Sequence, residues 1–310
     1  MSTKFLIPPF MMFCRFPLLA KVALATVMSM NLWANTAYAG DPFRSSEPRK
    51  IGDRTEAAFK AIFQDGNYPA AEDFLKKAIS DEPDEPLAYA MKAALAYTNQ
   101  DLGGLDRYSK KTLEAGQKLI ASDPLRGNLY TGVGNFLEGA VILLRDGSVN
   151  GVSKALSRLT KVYEYLDKAE AISENDPELN LIRGYMNLML AVNLPFTSPD
   201  QAIENLEKNA APGYLVNRGI ALAYRDLKKY SQALDYVNRA LKITADNPEI
   251  YYLKAQILHE KGKKEKSQDL IKDAIANFDK ALTKKSQLSA GLVKQIEYER
   301  SQAMNRLNNL

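Results

Sequence analysis

Between Tyr214 and Ala281 the chain repeats itself at a fixed offset of 34 residues. Ala221 recurs as Ala255, Ala240 as Ala274, and Leu227-Lys228 aligns with Lys261-Gly262. A unit of this length with helical apolar spacing is one helix–turn–helix, which cannot bury its apolar face alone and must stack on a neighbour. The expected fold is therefore all-α, an α-solenoid of stacked antiparallel helix pairs whose core is a continuous strip. Alanine at 221, 233, 240, 255 and 274 marks where helices cross at closest approach and larger side chains would overpack.

The same grammar extends outward. A first unit runs over 52–85, with Ala57, Ala58, Ala61 and Ile62 on one helix, a break at Asp65-Gly66-Asn67, and Tyr68, Ala71, Leu75 and Ala78 on the next. Asp123-Pro124, Asp176-Pro177 and Asn247-Pro248 each supply an N-cap acceptor followed by a proline at a position whose N–H no helix needs, so each starts a helix. A return helix is expected from Leu102 to Ser122. Residues 124–176 are read as a divergent, elongated pair, with a strongly apolar helix from Leu125 to Leu144 and a turn over 146–151. Within it Gly132, Gly134 and Gly139 are assigned to close helix packing, because phosphate-cradling glycines follow a strand. A fourth unit spans 177–211, interrupted by the apolar loop Asn193–Thr197 and restarted by the Ser198-Pro199-Asp200-Gln201 cap. Residues 287–310 read as a C-terminal capping helix, with Leu292, Ile296 and Leu307 facing the array and charged residues facing water.

The stretch NRGIALAYRDLKKYSQALDYVNRAL resembles the tetratricopeptide (TPR) repeat, with Ala221 in the middle of the first helix, Tyr230 opening the second, and Ala233 and Ala240 at the family's spacing. The repeats from 51 to 286 are clearest over 52–85, 214–247 and 248–281, and Phe59 departs from the pattern, standing where a small residue is expected. The resemblance implies a concave groove lined by the first helix of each pair. Its residues would be Arg218, Leu222, Arg225 and Asp226, then Tyr252, Gln256 and His259. In the first two units they would include Glu56 and Lys60, then Ala90, Met91, Ala94 and Tyr97. The Lys–Asn pair with which some TPR domains grip a terminal carboxylate is matched by none of these positions.

Residues 1–39 are expected to be a signal peptide: Lys4, Arg15 and Lys21 without a carboxylate, an apolar run from Val22, and Ala37-Tyr38-Ala39 before the cut. Residues 40–50 follow as a flexible leader. Of the 41 basic residues three fall in that segment, against 37 acidic ones, so the remainder is near neutral and no basic face for nucleic acid is implied. The single cysteine, Cys14, lies there too, which removes cysteine catalysis and disulfides from the processed chain. His259 is the only histidine, and Lys263 stands where a second zinc-binding histidine would be needed. No metal, cofactor or catalytic set is expected.

The chain thus reads as a non-enzymatic, exported scaffold that binds another protein or peptide segment, in a periplasm or, in a phototroph, a thylakoid lumen. The alternative is a small-molecule binding component serving a transporter, with a pocket among the apolar central helices and the Leu194–Phe196 loop.

Overall fold

A computed structural model describes residues 40–193 and 199–309. They form thirteen α-helices and, among the described residues, no strand. In order these are α1 (Asp53–Phe59), α2 (Tyr68–Asp81), α3 (Pro86–Thr98), α4 (Leu102–Leu119) and α5 (Pro124–Asn150). There follow α6 (Val152–Glu170), α7 (Pro177–Asn193), α8 (Asp200–Asn209) and α9 (Gly213–Asp226). The last are α10 (Tyr230–Ile243), α11 (Pro248–Glu265), α12 (Gln268–Leu282) and α13 (Ala290–Asn308). The all-α class with paired, stacked helices is as the repeat spacing requires. The signal peptide expected over 1–39, and residues 194–198 with most of the apolar loop, lie outside the described residues.

The helices start where the caps say. Asp123 accepts from the Arg126 amide at 3.0 Å, Asp176 from Leu179 at 2.9 Å, and Asn247 from Glu249 at 3.0 Å, each with proline at the next position. Glu85 does the same before Pro86, accepting from Leu87 at 3.0 Å. Alanines 221, 233, 240, 255 and 274 are all fully buried, as a crossing-point residue must be.

Residues 84–202 make one compact unit, α3 to α7, in which each helix packs on the next along the chain. The backbones of α4 and α5 approach so closely that a β-carbon on Gly134 would stand 2.6 Å from Leu113 Cα, and one on Gly116 2.6 Å from the Thr131 amide nitrogen. Gly139 is different, since its β-carbon would make ordinary contacts, with Arg158 Cβ at 3.5 Å and the Ala155 carbonyl oxygen at 3.8 Å. The turn expected over 146–151 is a kink at Gly147, whose φ of 71° favours glycine, and helix resumes to Asn150. A buried ionic cluster joins three helix starts. Arg126 donates to both oxygens of Glu85 at 2.9 and 3.0 Å and to Glu178 at 2.9 Å, and the Tyr130 hydroxyl donates to Glu178 at 2.5 Å.

The second unit takes residues 40–83 together with 203–309, so the first helix pair of the chain belongs with the last repeats. Residues 40–50 lie against α1. Phe43 meets Phe59 edge-on at 4.9 Å, and Phe59 meets Phe63 at 4.5 Å, which is how this pair accommodates an aromatic ring in place of a small residue. Gly52 caps α1 without a side chain, and Glu82 fills the space, accepting from the Arg54 and Thr55 amides at 2.8 and 3.0 Å. α1 widens into a π-helical turn, Lys60–Asp65, ending at left-handed Gly66. That turn abuts the α10–α11 corner, where the Asn247 amide donates to the Gln64 carbonyl at 3.2 Å and the Tyr68 hydroxyl to Glu249 at 3.1 Å. α13 closes the unit, burying Ile296 and Ala303 and holding Asp279 of α12 through Arg300. Leu292 and Leu307 are only partly covered.

Two tests follow from this packing. Gly134→Ala and Ala240→Leu should each lose about 1–3 kcal/mol in urea unfolding, whereas Gly139→Ala should be neutral or gain up to about 1 kcal/mol as a helical glycine replaced without a clash. Burial pushes the Asp65 carboxyl up to about 6, with Lys60 and Lys284 opposing the shift. A folded-state value above the unfolded one makes its contribution fully present at low pH and lost as pH rises through about 6. Asp65→Asn should therefore raise the melting temperature at about pH 8 and leave it unchanged near pH 4, measured by calorimetry.

Candidate partner-binding surface

The seven groove positions fall on one face each of α9 and α11. On α9, Arg218, Leu222 and Arg225 follow one another at helical spacing, as do Tyr252, Gln256 and His259 on α11. The two sets are joined by a polar ladder. Arg225 donates to Asp226 at 2.8 Å and to the Gln256 carbonyl oxygen at 2.7 Å. Gln256 in turn donates to Glu299 of α13 at 2.8 Å, and the Tyr252 hydroxyl donates to the same carboxylate at 2.7 Å. Thus α9, α11 and α13 contribute successive rungs, and α13 sits as the first helix of a further, unpaired repeat.

This ladder takes several of the expected groove residues inside. Arg218 is 2% exposed and pairs with Glu249, while its Nε and Nη1 make no hydrogen bond among the described residues. Leu222, Arg225 and Tyr252 are buried as well. Burial, and then the Glu299 charge, push the Tyr252 phenol far up, so it stays protonated and able to donate to Glu299. Asp226, Gln256 and His259 keep partial exposure. His259 is half-buried; burial holds its imidazole below the usual value, so it is neutral at pH 7 and presents a flat, uncharged ring. In the earlier pairs Met91 is buried, Ala90, Ala94 and Tyr97 are partly exposed, and Lys60 pairs with Glu56.

Sequence reasoning missed the acidic half of this arrangement. Glu249 and Glu299 organise the arginine and tyrosine that the helical stripe picks out, and Tyr68 reaches Glu249 from the far end of the sequence. A signal was present: Pro177-Glu178 and Pro248-Glu249 open two helices alike, and each glutamate receives an arginine and a tyrosine. No group of three or more His, Cys, Asp or Glu side chains is placed to hold a metal ion among the described residues. No described helix is long and apolar enough to cross a membrane.

Breaking a buried pair from one side leaves an uncompensated charge. Arg218→Ala should therefore cost about 3–5 kcal/mol in denaturant unfolding, whereas Arg218→Met with Glu249→Leu should recover most of that loss. His259→Ala should stay within about 0.5 kcal/mol of the parent. Equal destabilisation by all three variants would show that the ion pair has no special weight.

Two family models match within this region. Residues 221–262 match one described as TPR repeat and residues 248–283 one described as Tetratricopeptide repeat. No curated protein matches the chain. The matched residues run from the middle of α9 to the start of the turn after α12, and α9 and α11 bear the ladder just described.

Proposed function

We propose that this chain is a non-enzymatic TPR scaffold, exported from the cytoplasm, which binds a protein or peptide segment on the face shared by α9, α11 and α13. The supporting observation is the match of residues 221–283 to TPR repeats, which generally bind protein or peptide partners, together with the ladder that holds those helices in register. Pre-organisation of this kind favours binding, since a rigid face loses little side-chain freedom when a partner docks. The contact residues within reach are Asp226, Gln256 and His259, with Arg218, Leu222, Arg225 and Tyr252 setting the shape and polarity beneath them. Because those four are buried, variants at them report on folding first, and the surface test belongs at His259.

Export rests on the basic, carboxylate-free start of the chain, the apolar run after Val22 and the small residues at Ala37 and Ala39. Amino-terminal sequencing of the protein recovered from its own cells should begin at Gly40; a chain that retains residues 1–39 would contradict export by cleavage. For the partner, tagged protein should capture one stoichiometric protein from extracytoplasmic extract. His259→Glu should abolish that capture while the fold remains, and Lys242→Glu, on an exposed face of α10, should not. Capture unchanged by His259→Glu would remove the proposed face. Absence of any captured protein, with a small molecule retained instead, would favour the ligand-binding alternative.

A further inference from the structure

In the second unit, the corners within the last two helix pairs lie side by side along one edge, Leu227–Lys229 between α9 and α10, and the last turn of α11 with the short link 266–267 that leads to α12. Lys264 Nζ stands 5.9 Å from the Tyr230 ring at the start of α10, which fixes the two turns as neighbours. The edge carries Lys228, Lys229, Lys261, Lys263, Lys264 and Lys266, all exposed except the partly exposed Lys261. Two of these lysines, Lys228 and Lys266, occupy left-handed backbone at φ 60° and 53° just past the ends of α9 and α11, and both are exposed.

Charge does not cancel here. Of the carboxylates at these corners, Asp226 is taken by Arg225 and Glu260 by Lys263, which leaves Glu265 against five lysines that have no carboxylate within ion-pair distance among the described residues. Lys229 and Lys264 lie over tyrosine rings, Lys228 and Lys266 are exposed to water, and Lys261 is partly exposed. Arg306, exposed near the end of α13, adds to the same side, close enough to His259 to oppose its protonation. The opposite edge, made of the turns between pairs, is occupied by the Gln64 carbonyl and Tyr68 of the first pair.

We propose that this edge rests on an anionic phospholipid bilayer, with lysine ammonium groups against headgroup phosphates. The occupant follows from the kind of cation and its placement. Carboxylate recognition by a protein partner favours the planar fork of arginine in a shaped site, and the turns offer flexible point charges instead. A polybasic edge gains affinity with each Lys or Arg brought to such a surface, with no shaped pocket required. Resting edge-on would leave the face of α9, α11 and α13 free for its partner.

The test is co-sedimentation of the protein, as isolated from cells, with phosphatidylcholine vesicles containing or lacking about 30 mol % phosphatidylglycerol. Binding is expected only to the anionic vesicles and should fall at least about tenfold when salt is raised from about 0.05 to about 0.5 M. The combined variant Lys228→Asn, Lys261→Gln, Lys264→Gln, Lys266→Asn should lose at least about tenfold in vesicle affinity. Asparagine is chosen at 228 and 266 because it tolerates left-handed backbone. Removing four lysines elsewhere on this unit (Lys76, Lys77, Lys242 and Lys294, each to Gln) should matter at most half as much on a logarithmic scale. Equal binding to neutral vesicles, equal loss in both variants, or no binding to anionic vesicles would each overturn the proposal. So would retention on an immobilised polyglutamate column without vesicle binding, which would assign the edge to an acidic polypeptide.

Discussion

A glutamate in the first turn of a buried helix is the interaction on which the rest depends. Glu178 in α7 and Glu249 in α11 each follow the proline that starts the helix, and both are almost wholly removed from water. A bare carboxylate at such a site would be expelled by its desolvation cost. Each is retained because an arginine from the preceding first helix and a tyrosine hydroxyl converge on it: Arg126 and Tyr130 on Glu178, Arg218 and Tyr68 on Glu249. The helix start adds its own positive end, which favours negative charge within the first turn. Alanine packing sets how close the helices come, and these pairs set which helix start meets which neighbour. A hydrophobic core of leucine and alanine alone would leave that choice degenerate.

The consequence differs between the two units. In residues 84–202 the cluster of Glu85, Arg126 and Glu178 links the starts of α3, α5 and α7, three first helices in succession. Arg126 stays charged despite its burial because Glu178 and Glu85 flank it, and burial raises the proton affinity of Glu178 itself. In the other unit the tyrosine comes from α2, 181 residues before Glu249. The first helix pair is thereby tied to the last repeats, and Glu299 then carries the polar ladder forward onto α13.

Much of this was legible in the sequence for a simple reason. Small residues at crossing points, Asx-Pro helix starts and the left-handed Gly66 act locally, so residues within one turn of each other declare them. Ala221, Ala240 and Ala274 could be placed at a helix crossing before any coordinate was known, and Asp123, Asp176 and Asn247 cap where expected. What local pattern does not reveal is the partner of a side chain. Helical spacing puts Arg218, Arg225 and Tyr252 on one stripe. Whether that stripe meets water depends on Glu249 and Glu299, supplied by helices 31 and 47 residues further on. Phe59 is the same lesson at smaller scale, since a ring in a small-residue position is accommodated by Phe43, from a segment whose composition alone suggests a loose leader. Asp226, Gln256 and His259 keep partial exposure on the stripe that helical spacing marks out, whereas Arg218, Leu222, Arg225 and Tyr252 on the same stripe are buried.

The account stands or falls on the first helix pair and the last repeats behaving as one body. Native-state amide hydrogen exchange, followed by mass spectrometry in rising sub-denaturing urea, tests this most directly. The buried amides of α2 should open with the same free energy and the same urea dependence as those of α9 and α11, and Glu249→Leu should lower all three together. Exchange of α2 at a lower free energy, unaffected by the change at Glu249, would show an independent hairpin and contradict the account.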